Sequence, residues 1–362
     1  MHSMRALAVG CAVAGLIIAT PAVASAKTGP PTTSDWSDAS LAPFNLEVDG
    51  TRVLVADGFT GMVGALQPDG TLAPVVTDVP GVAGIATRGK WLAYTSTVST
   101  PPDEQHPEGV NVASGLNIRT PQGTIVYADT HAFEVANNPD AGVTYGPADA
   151  SCLPDSPFGA HNGLVDSHAY SVASGNGVWY VADAGGNDIL KVTDSGQVSL
   201  VAVLPRKAFD IPPEAAPAPC LVGTYYSEPV PTDVEVGGDG QLYVTTLTGA
   251  TEAGIPGLSD LWRINPTTGA ITHLAGGFSG ATNLALGKNG EIYVAELDGG
   301  GISVYRNGVV SPYAALPNAL AVETGAGGTV WASTIGLLQQ NPVPSRIVSI
   351  SNGKVKVQAK LP

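Results

Sequence analysis

Cysteine is scarce in this sequence, with three residues in 362. A disulfide-rich miniature scaffold is therefore excluded, because such folds need several bridges in a short chain. The six histidines include no His-x-x-x-His pair and no Cys-x-x-Cys pair occurs, so the usual zinc-ligand spacings are absent. No Gly-x-Ser-x-Gly turn, phosphate-binding loop or dinucleotide fingerprint is present either. The common sequence signatures of nucleophile, nucleotide and zinc enzymes are all lacking.

Basic residues are also few. Sixteen Lys and Arg stand against 31 Asp and Glu, which gives a formal net charge of −15. A predominantly acidic surface repels phosphate groups, so nucleic acid and anionic lipid are not expected as partners.

Long hydrophobic runs are missing except at the N-terminus. Arg5 precedes an apolar run from Ala6 to Ala19, and Ala24-Ser25-Ala26 matches a signal-peptidase site. The run is too short to span a bilayer comfortably. We therefore predict a signal peptide over residues 1–26, a secreted mature chain without a transmembrane segment, and a flexible N-terminal segment over residues 27–43.

Glycine and proline are abundant, with 45 and 29 residues, and the glycines mark a repeat. In the stretch from Gly177 to Val192, a Gly-x-apolar-aromatic run is followed by a tight turn and a second strand-like run. Further copies of the first half begin at Gly50, Gly89, Gly240, Gly290 and Gly328. Six units with four strands each are typical of a β-propeller.

The sequence thus predicts an all-β, six-bladed propeller of four antiparallel strands per blade over residues 44–362, expected to be a monomer. The predicted blades are Phe44–Val79, Gly81–Glu134, His168–Leu204, Thr232–Phe278, Ala281–Leu316 and Asn318–Leu361. Residues 135–166 form an insertion without a second copy of the Gly-x-apolar-aromatic run. We therefore expect no seventh blade there.

Long insertions fall at one kind of connection only. The turns between strands one and two, and between strands three and four, are all short, whereas the insertions lie at the other connections, which open on the opposite face of a propeller. We call this the insertion face and expect the binding site there. Random drift of surface loops is the alternative explanation.

Polar residues at the starts of the predicted innermost strands indicate a candidate site at the channel mouth. Asn45, Gly84, Tyr170, Asp233, Asn283 and Ala319 align at this position, and His168 lies beside it. We predict that Asn45, Tyr170, Asp233, Asn283 and His168 contact a ligand. Asn45, Asp233 and Asn283 are candidate ligands for Ca²⁺ or another hard cation, together with Asp57, Asp183 and Glu296 at the ends of the second strands. The alternative is that these oxygens accept backbone hydrogen bonds.

Two long stretches resemble the ScyD/ScyE family of exported proteins. The first runs from His168-Ala169-Tyr170-Ser171 through Tyr180-Val181-Ala182-Asp183-Ala184-Gly185-Gly186-Asn187-Asp188 to Pro205, and the second from Pro231-Thr232-Asp233-Val234 to Gly249. The resemblance implies a secreted propeller related to NHL and SMP-30/gluconolactonase-like repeats. It implies no particular activity.

Two functions are compatible with these features. One is a non-catalytic scaffold that binds an extracellular glycan, metabolite or protein. The other is a metal-dependent hydrolase or lyase of the SMP-30/gluconolactonase-like type, in which a cation at the channel mouth polarises a carbonyl. The predicted axial ring contains one Asp and two Asn, fewer carboxylates than such lactonases use, so the sequence favours binding over catalysis.

Cys152 and Cys220 are the two cysteines left after removal of the predicted signal peptide. Both lie in long insertions that flank the third blade. In an oxidising compartment we predict that they form a disulfide. Removal of residues 1–26 deletes one Arg and no acid, so the mature charge is 15 minus 31, or −16.

Overall fold

The computed structural model describes residues 41–102, 109–154, 156, 158–249, 255–336 and 343–361. Almost all regular structure in these ranges is β-strand, arranged in seven four-stranded antiparallel sheets. This architecture agrees with the predicted β-propeller. The predicted signal peptide and most of the N-terminal segment lie outside the described residues, and those predictions stay predictions.

Six of the sheets follow the chain, and each has its strands in sequence order. Sheet 1 contains β1 (Pro43–Asp49), β2 (Arg52–Asp57), β3 (Met62–Leu66) and β4 (Leu72–Val76). Sheet 2 contains β5 (Ile85–Arg88), β6 (Trp91–Ser99), β7 (Asn111–Arg119) and β8 (Ile125–Asp129). Sheet 3 contains β11 (Ala169–Ser174), β12 (Val178–Asp183), β13 (Asp188–Thr193) and β14 (Val198–Val203).

The C-terminal half repeats the arrangement. Sheet 4 contains β17 (Pro231–Val236), β18 (Leu242–Thr246), β19 (Ser259–Ile264) and β20 (Ile271–Phe278). Sheet 5 contains β21 (Ala281–Leu286), β22 (Ile292–Glu296), β23 (Gly301–Arg306) and β24 (Val309–Ala315). Sheet 6 contains β25 (Ala319–Thr324), β26 (Val330–Thr334), β27 (Ser345–Ser351) and β28 (Lys354–Leu361).

The hairpin turns require glycine and asparagine at fixed positions, which makes the repeat visible in the sequence. In the turn between β23 and β24, Asn307 and Gly308 have φ values of 51° and 84°. Two consecutive left-handed residues form the turn whose twist matches a β-hairpin, and Asn-Gly is the preferred pair. Asn352 and Gly353 form the same turn in sheet 6, with φ values of 52° and 72°.

The first strands of the six sheets contact one another in a closed series. β1 contacts β5, and the series continues through β11, β17, β21 and β25 back to β1. Apolar side chains fill the space between neighbouring sheets; Leu116 of sheet 2 packs in one buried cluster with Trp179 of sheet 3. Between sheets 6 and 1, the Ser333 hydroxyl donates to the Pro43 carbonyl at 2.7 Å. The two ends of the fold are therefore joined by side-chain and backbone contacts.

The seventh sheet was not expected from the sequence. Its strands are β9 (Thr144–Pro147), β10 (His161–Asn162), β15 (Lys207–Ile211) and β16 (Gly223–Ser227), in the order β10-β9-β16-β15. We call it the insertion sheet, because both segments were predicted to be insertions. Its strands are short, come from distant parts of the chain and lack the repeat, so no local pattern marks them as one sheet. The predicted count of six does not account for it.

The predicted disulfide is confirmed. Cys152 and Cys220 are bonded, with their Cα atoms 5.6 Å apart and a sequence separation of 68. Cys152 is buried with Ile211, Leu221 and Tyr225 in a small apolar cluster beside the insertion sheet. The covalent bond therefore holds together two segments that bury only a small core of their own.

One α-helix, α1 (Thr130–Asn137), follows sheet 2. The Asp129 side chain accepts a hydrogen bond from the Ala132 amide at 2.7 Å and caps its N-terminus. Within the described ranges, short 3-10 helices span Pro219–Leu221 and Ala326–Gly328. In the part of the chain that the structure describes, no helix has the length and apolar character needed to cross a bilayer.

Candidate functional site

The first strands of five sheets share an irregularity near their start. In sheet 1 the register shifts between Pro43 and Asn45, so Asn45 pairs with Ala56. The same shift in sheet 3 makes Ser171 the partner of Ala182, which leaves Tyr170 as the extra residue. A bulge of this kind inserts one residue and reverses the side-chain alternation that a sequence alignment assumes.

The bulges correct two positions of the predicted axial ring. Asp233 and Asn283 pair with Thr245 and Ala295, which is the register of Asn45. In sheet 3 the equivalent residue is Ser171 and not Tyr170. In sheet 6 Ala319 is already paired before the shift, so it is not equivalent to Asn45 either.

The polar residues at this level link neighbouring first strands. The Asp233 carboxylate accepts hydrogen bonds from the Ser171 hydroxyl and, at 2.8 Å, from the Leu284 amide. The Asn283 side-chain oxygen accepts a hydrogen bond from the Val322 amide at 2.8 Å. Both carboxylate oxygens of Asp233 therefore already have protein donors. Burial raises the pKa of Asp233 to about 7.

Asn45 is buried at the same level, with 7% of its surface exposed. The roles of Asn45, Asp233 and Asn283 as metal ligands stay predictions. Within the described ranges, no three Asp, Glu, His or Cys side chains already stand together at metal-ligand spacing.

Aromatic side chains gather beside this polar level. Tyr170 lies 6.3 Å from Phe44 and 5.7 Å from His168, measured between ring centroids, and Phe59 lies 5.9 Å from Phe44. Phe44 and Tyr170 belong to a buried apolar cluster with residues of sheets 2, 5 and 6, including Ala83, Leu297 and Leu320. We call this the aromatic cluster. It lies beside the polar residues that were predicted to form the axial ring, and Tyr170 was predicted as one of that ring.

Two polar groups stand out within the aromatic cluster. The Tyr170 hydroxyl is buried and has no hydrogen-bond partner among the residues that the structure describes. Burial raises the Tyr170 pKa and lowers the pKa of His168 to about 4, so the phenol keeps its proton and the imidazole is neutral near pH 7. A buried phenol without an acceptor is unusual, since such groups normally find one. It is a group through which a bound molecule can be recognised.

The acids at the ends of the second strands have a structural role. The Asp57 carboxylate accepts hydrogen bonds from the Thr60 hydroxyl and the Ala42 and Phe59 amides. Asp183 likewise accepts from the amides of His168, Gly185 and Gly186. These contacts agree with the alternative that such oxygens satisfy backbone groups at strand ends.

Three glutamates further along the first strands were not among the predicted site residues. Glu47, Glu235 and Glu323 interact electrostatically with one another, and protein surrounds each of them while leaving partial access to water. Glu47 and Glu235 come two residues after Asn45 and Asp233. Because residues two apart share a face of a strand, that spacing could have revealed both. Burial, together with the charges of the other acids, raises the pKa of Glu235 and of Glu323 well above the usual value.

These glutamates predict stability that falls as the pH rises. A carboxyl whose pKa is raised in the folded state holds its proton more tightly there than in the unfolded chain. The resulting stability is fully present below the unfolded pKa, near 4.5, and is lost as the pH rises through the folded value. We expect Glu235→Gln and Glu323→Gln to raise the melting temperature more at pH 8 than at pH 5.

Thermal unfolding at both pH values checks this, with Glu214→Gln as the control because Glu214 is exposed. Equal changes in melting temperature at pH 5 and pH 8 for Glu235→Gln and Glu323→Gln would contradict the prediction.

The segment that precedes β11 carries exposed apolar residues. Leu164 and Val165, just before His168, are 64% and 50% exposed. Asp166 accepts a hydrogen bond from Asn111 at 3.0 Å, which holds this segment against sheet 2.

The fold is similar to those of several solved structures. Virginiamycin B lyase from Staphylococcus aureus matches over 89% of this chain and 85% of its own, with a TM-score of 0.50 and 16% identity. A chain of a nidogen/laminin complex matches over 86% of this chain and 96% of its own, with a TM-score of 0.51 and 10% identity. A gluconolactonase from Xanthomonas campestris matches over 93% and 90%, with a TM-score of 0.48 and 13% identity.

No protein-family model matches the sequence, and no curated protein is significantly similar to it. At identities of 16% or less the solved structures support the β-propeller fold alone. They do not test the resemblance to the ScyD/ScyE family.

Proposed function

We propose that this protein is an exported propeller of the ScyD/ScyE type that binds an extracellular ligand at the aromatic cluster. In this proposal sheets 1 to 6 form the ring of six blades, and the insertion sheet is an addition outside it. The closed series of contacts among the six first strands supports this division. No strand of the insertion sheet interrupts that series among the contacts between described residues.

The observation that carries the binding proposal is the unpartnered hydroxyl of Tyr170 within an apolar, aromatic surrounding. Ligand sites commonly combine an apolar lining with a few polar groups that fix the ligand's orientation. Tyr170 supplies the polar group, and Phe44 and Phe59 supply aromatic surface. We propose a ligand with an apolar face and a hydrogen-bond acceptor, such as an aromatic metabolite or the apolar face of a sugar.

A second candidate is a metal-dependent hydrolase or lyase. The fold is similar to that of virginiamycin B lyase, whose name states an activity. This similarity favours an enzyme over a purely non-catalytic scaffold. The hydrogen bonds that already occupy Asp233 weigh against a cation at that level. Catalysis would require those bonds to be exchanged for metal contacts.

Two measurements separate these functions. In a thermal-shift screen of aromatic and sugar fragments, we expect binders whose affinity falls about 2- to 10-fold in Tyr170→Phe, the usual range for one lost hydrogen bond. Tyr94→Phe is the matched control, because Tyr94 is also buried but lies in another cluster. The absence of binders, or equal affinity in both variants, would refute the proposed site.

The enzyme alternative is tested with a panel of lactones and sugar esters, with and without Ca²⁺. Metal-dependent turnover that is abolished in Asp233→Ala and retained in Asp69→Ala would establish the enzyme in place of the scaffold. Asp69 lies in an exposed hairpin turn, where it accepts a hydrogen bond from the Thr71 amide.

A further inference from the structure

A group of buried acids lies beside sheet 3, and one of them, Asp183, accepts a hydrogen bond from the amide of His168 at the edge of the aromatic cluster. Glu134 belongs to helix α1, Asp140 follows that helix, and Asp183 and Asp188 bound the turn between β12 and β13. All four are at most 2% exposed. Burying one ionised carboxylate without a partner is costly, and burying four together is more so.

These acids form no ion pair with a basic side chain in the described ranges. Within the described part of the chain, none of the ion pairs formed by Lys, Arg or His involves Glu134, Asp140, Asp183 or Asp188. Asp183 and Asp188 are also directly opposite each other across the β12–β13 pair. Like charges at such positions destabilise a sheet.

Several oxygens in the group have no donor among the described residues. In that part of the chain both carboxylate oxygens of Asp188 lack a hydrogen-bond partner, as do Oε1 of Glu134, Oδ1 of Asp140 and the side-chain oxygen of Asn187. Their surroundings are otherwise well organised. The other Asp140 oxygen accepts hydrogen bonds from the Tyr145 hydroxyl at 2.9 Å and from the side-chain nitrogen Nδ2 of Asn187 at 3.0 Å.

A glycine keeps open the space between three of the acids. A Cβ atom at Gly186 would lie 3.4 Å from Oε2 of Glu134 and 3.6 Å from the carboxyl carbons of both Asp183 and Asp188. Three carboxylates from a helix and two strands therefore border one small volume.

We propose that Glu134, Asp140, Asp188 and Asn187, beside Asp183, form a binding site for a hard divalent cation, with Ca²⁺ preferred. Carboxylate and amide oxygens are the ligands that Ca²⁺ takes, usually six to eight of them. Mg²⁺ gives up its water reluctantly, so a buried site with several protein oxygens suits it less. The site differs from the one predicted at Asn45, Asp233 and Asn283.

Binding requires modest side-chain rotation, since the acids do not yet stand at metal-ligand spacing. The unpartnered oxygens of Glu134 and Asp188 have no hydrogen bond to break when they turn. A bound cation would tie helix α1 and the segment after it to the β12–β13 turn. Burial and the neighbouring acids also raise the pKa of Glu134 to about 8, as expected where negative charges are crowded.

The test measures Ca²⁺ binding to the whole mature protein. After treatment with a chelator, equilibrium dialysis with radioactive Ca²⁺ at pH 8 should find one tightly bound ion, with weaker binding of Mg²⁺. Asp188→Asn and Glu134→Gln should each weaken Ca²⁺ binding at least about 10-fold, since even indirect ligand contacts are worth that much. The melting temperature of the wild type should rise with Ca²⁺ concentration.

Two further variants distinguish a site from a general effect of charge. Gly186→Ala leaves the charge unchanged but fills the space between the acids, and it should also weaken binding. Asp210→Asn removes an exposed carboxylate from the insertion sheet and should leave Ca²⁺ affinity unchanged.

The proposal is overturned if the wild type binds no Ca²⁺. It is equally overturned if Asp188→Asn and Glu134→Gln, shown to be folded by circular dichroism, bind Ca²⁺ as the wild type does. Neither result depends on the ligand of the aromatic cluster, so the two proposals fail separately.

Discussion

Replacing both Cys152 and Cys220 with serine is expected to lower the free energy of unfolding of the insertion sheet by about 4 kcal/mol, the value for closing a loop of this length. The bond spans 68 residues, and Cys152 is buried in a cluster with only a few apolar partners. The segments that it joins pair through just two residues on each side, Tyr225 with Pro147 and Tyr226 with Gly146. Without the bond, few contacts remain to offset the conformational entropy that these segments gain when they unfold.

Thermal unfolding with and without reductant measures the effect, and hydrogen exchange locates it. We expect faster exchange in β9, β15 and β16, while the strands of sheets 5 and 6 keep their protection. The double-serine variant serves as the control, because reductant should leave its melting temperature unchanged. A wild type that is equally stable in reductant would contradict the prediction.

The repeat made the propeller predictable because each unit repeats the same local signals. The turn glycines and asparagines have left-handed φ values at the expected positions, as at Asn307 and Gly308. The apolar runs that follow the glycines form the buried second strands, as at Trp179 and Val181. These signals are local in sequence, and a single chain suffices to read them.

The insertion sheet and the strand register at the site were harder to predict from the sequence. β9 pairs with β16 across some 80 residues, as Gly146 with Tyr226 illustrates, and no local pattern specifies such a pairing. The bulge in sheet 3 makes Tyr170 an extra residue. Counting along the strand therefore selected Tyr170 as the equivalent of Asn45, whereas the equivalent residue is Ser171. The disulfide, in contrast, was predictable, because only one pairing was possible between the two cysteines considered.

The acid group at Glu134 illustrates a further limit. Asp183 and Asp188 were visible in the repeat, but Glu134 and Asp140 reach them because helix α1 packs against β7 of sheet 2 and β14 of sheet 3. A group built from one helix, one loop and one turn has no spacing signature. Strand spacing could have revealed Glu47 and Glu235, because those residues lie on one face of their strands.

Gly84→Ala is expected to lower the free energy of unfolding by about 3 kcal/mol, at the upper end of the usual cost of overpacking. A Cβ atom at Gly84 would lie 2.6 Å from Cα of Ser171 and 2.8 Å from the Tyr170 carbonyl oxygen. Both are backbone atoms, which cannot rotate away as a side chain can. The Gly84 amide donates to the Thr95 hydroxyl at 2.8 Å, and its carbonyl accepts from the Thr95 amide at 3.0 Å, so Gly84 is held in place as well.

Urea denaturation of Gly84→Ala and Gly238→Ala measures the difference between a crowded and an open glycine. No atom lies within 4 Å of the Cβ position at Gly238, and neither glycine has a left-handed φ, so both accept alanine conformationally. Gly238→Ala should be neutral or more stable by about 0.4 to 1 kcal/mol, because alanine restricts the unfolded chain.

If Gly84→Ala is as stable as Gly238→Ala, sheets 2 and 3 are not in close contact at this point. A loss confined to Gly84→Ala would instead establish that the absence of a side chain here lets β11 approach sheet 2 and sets the position of Tyr170 in the aromatic cluster.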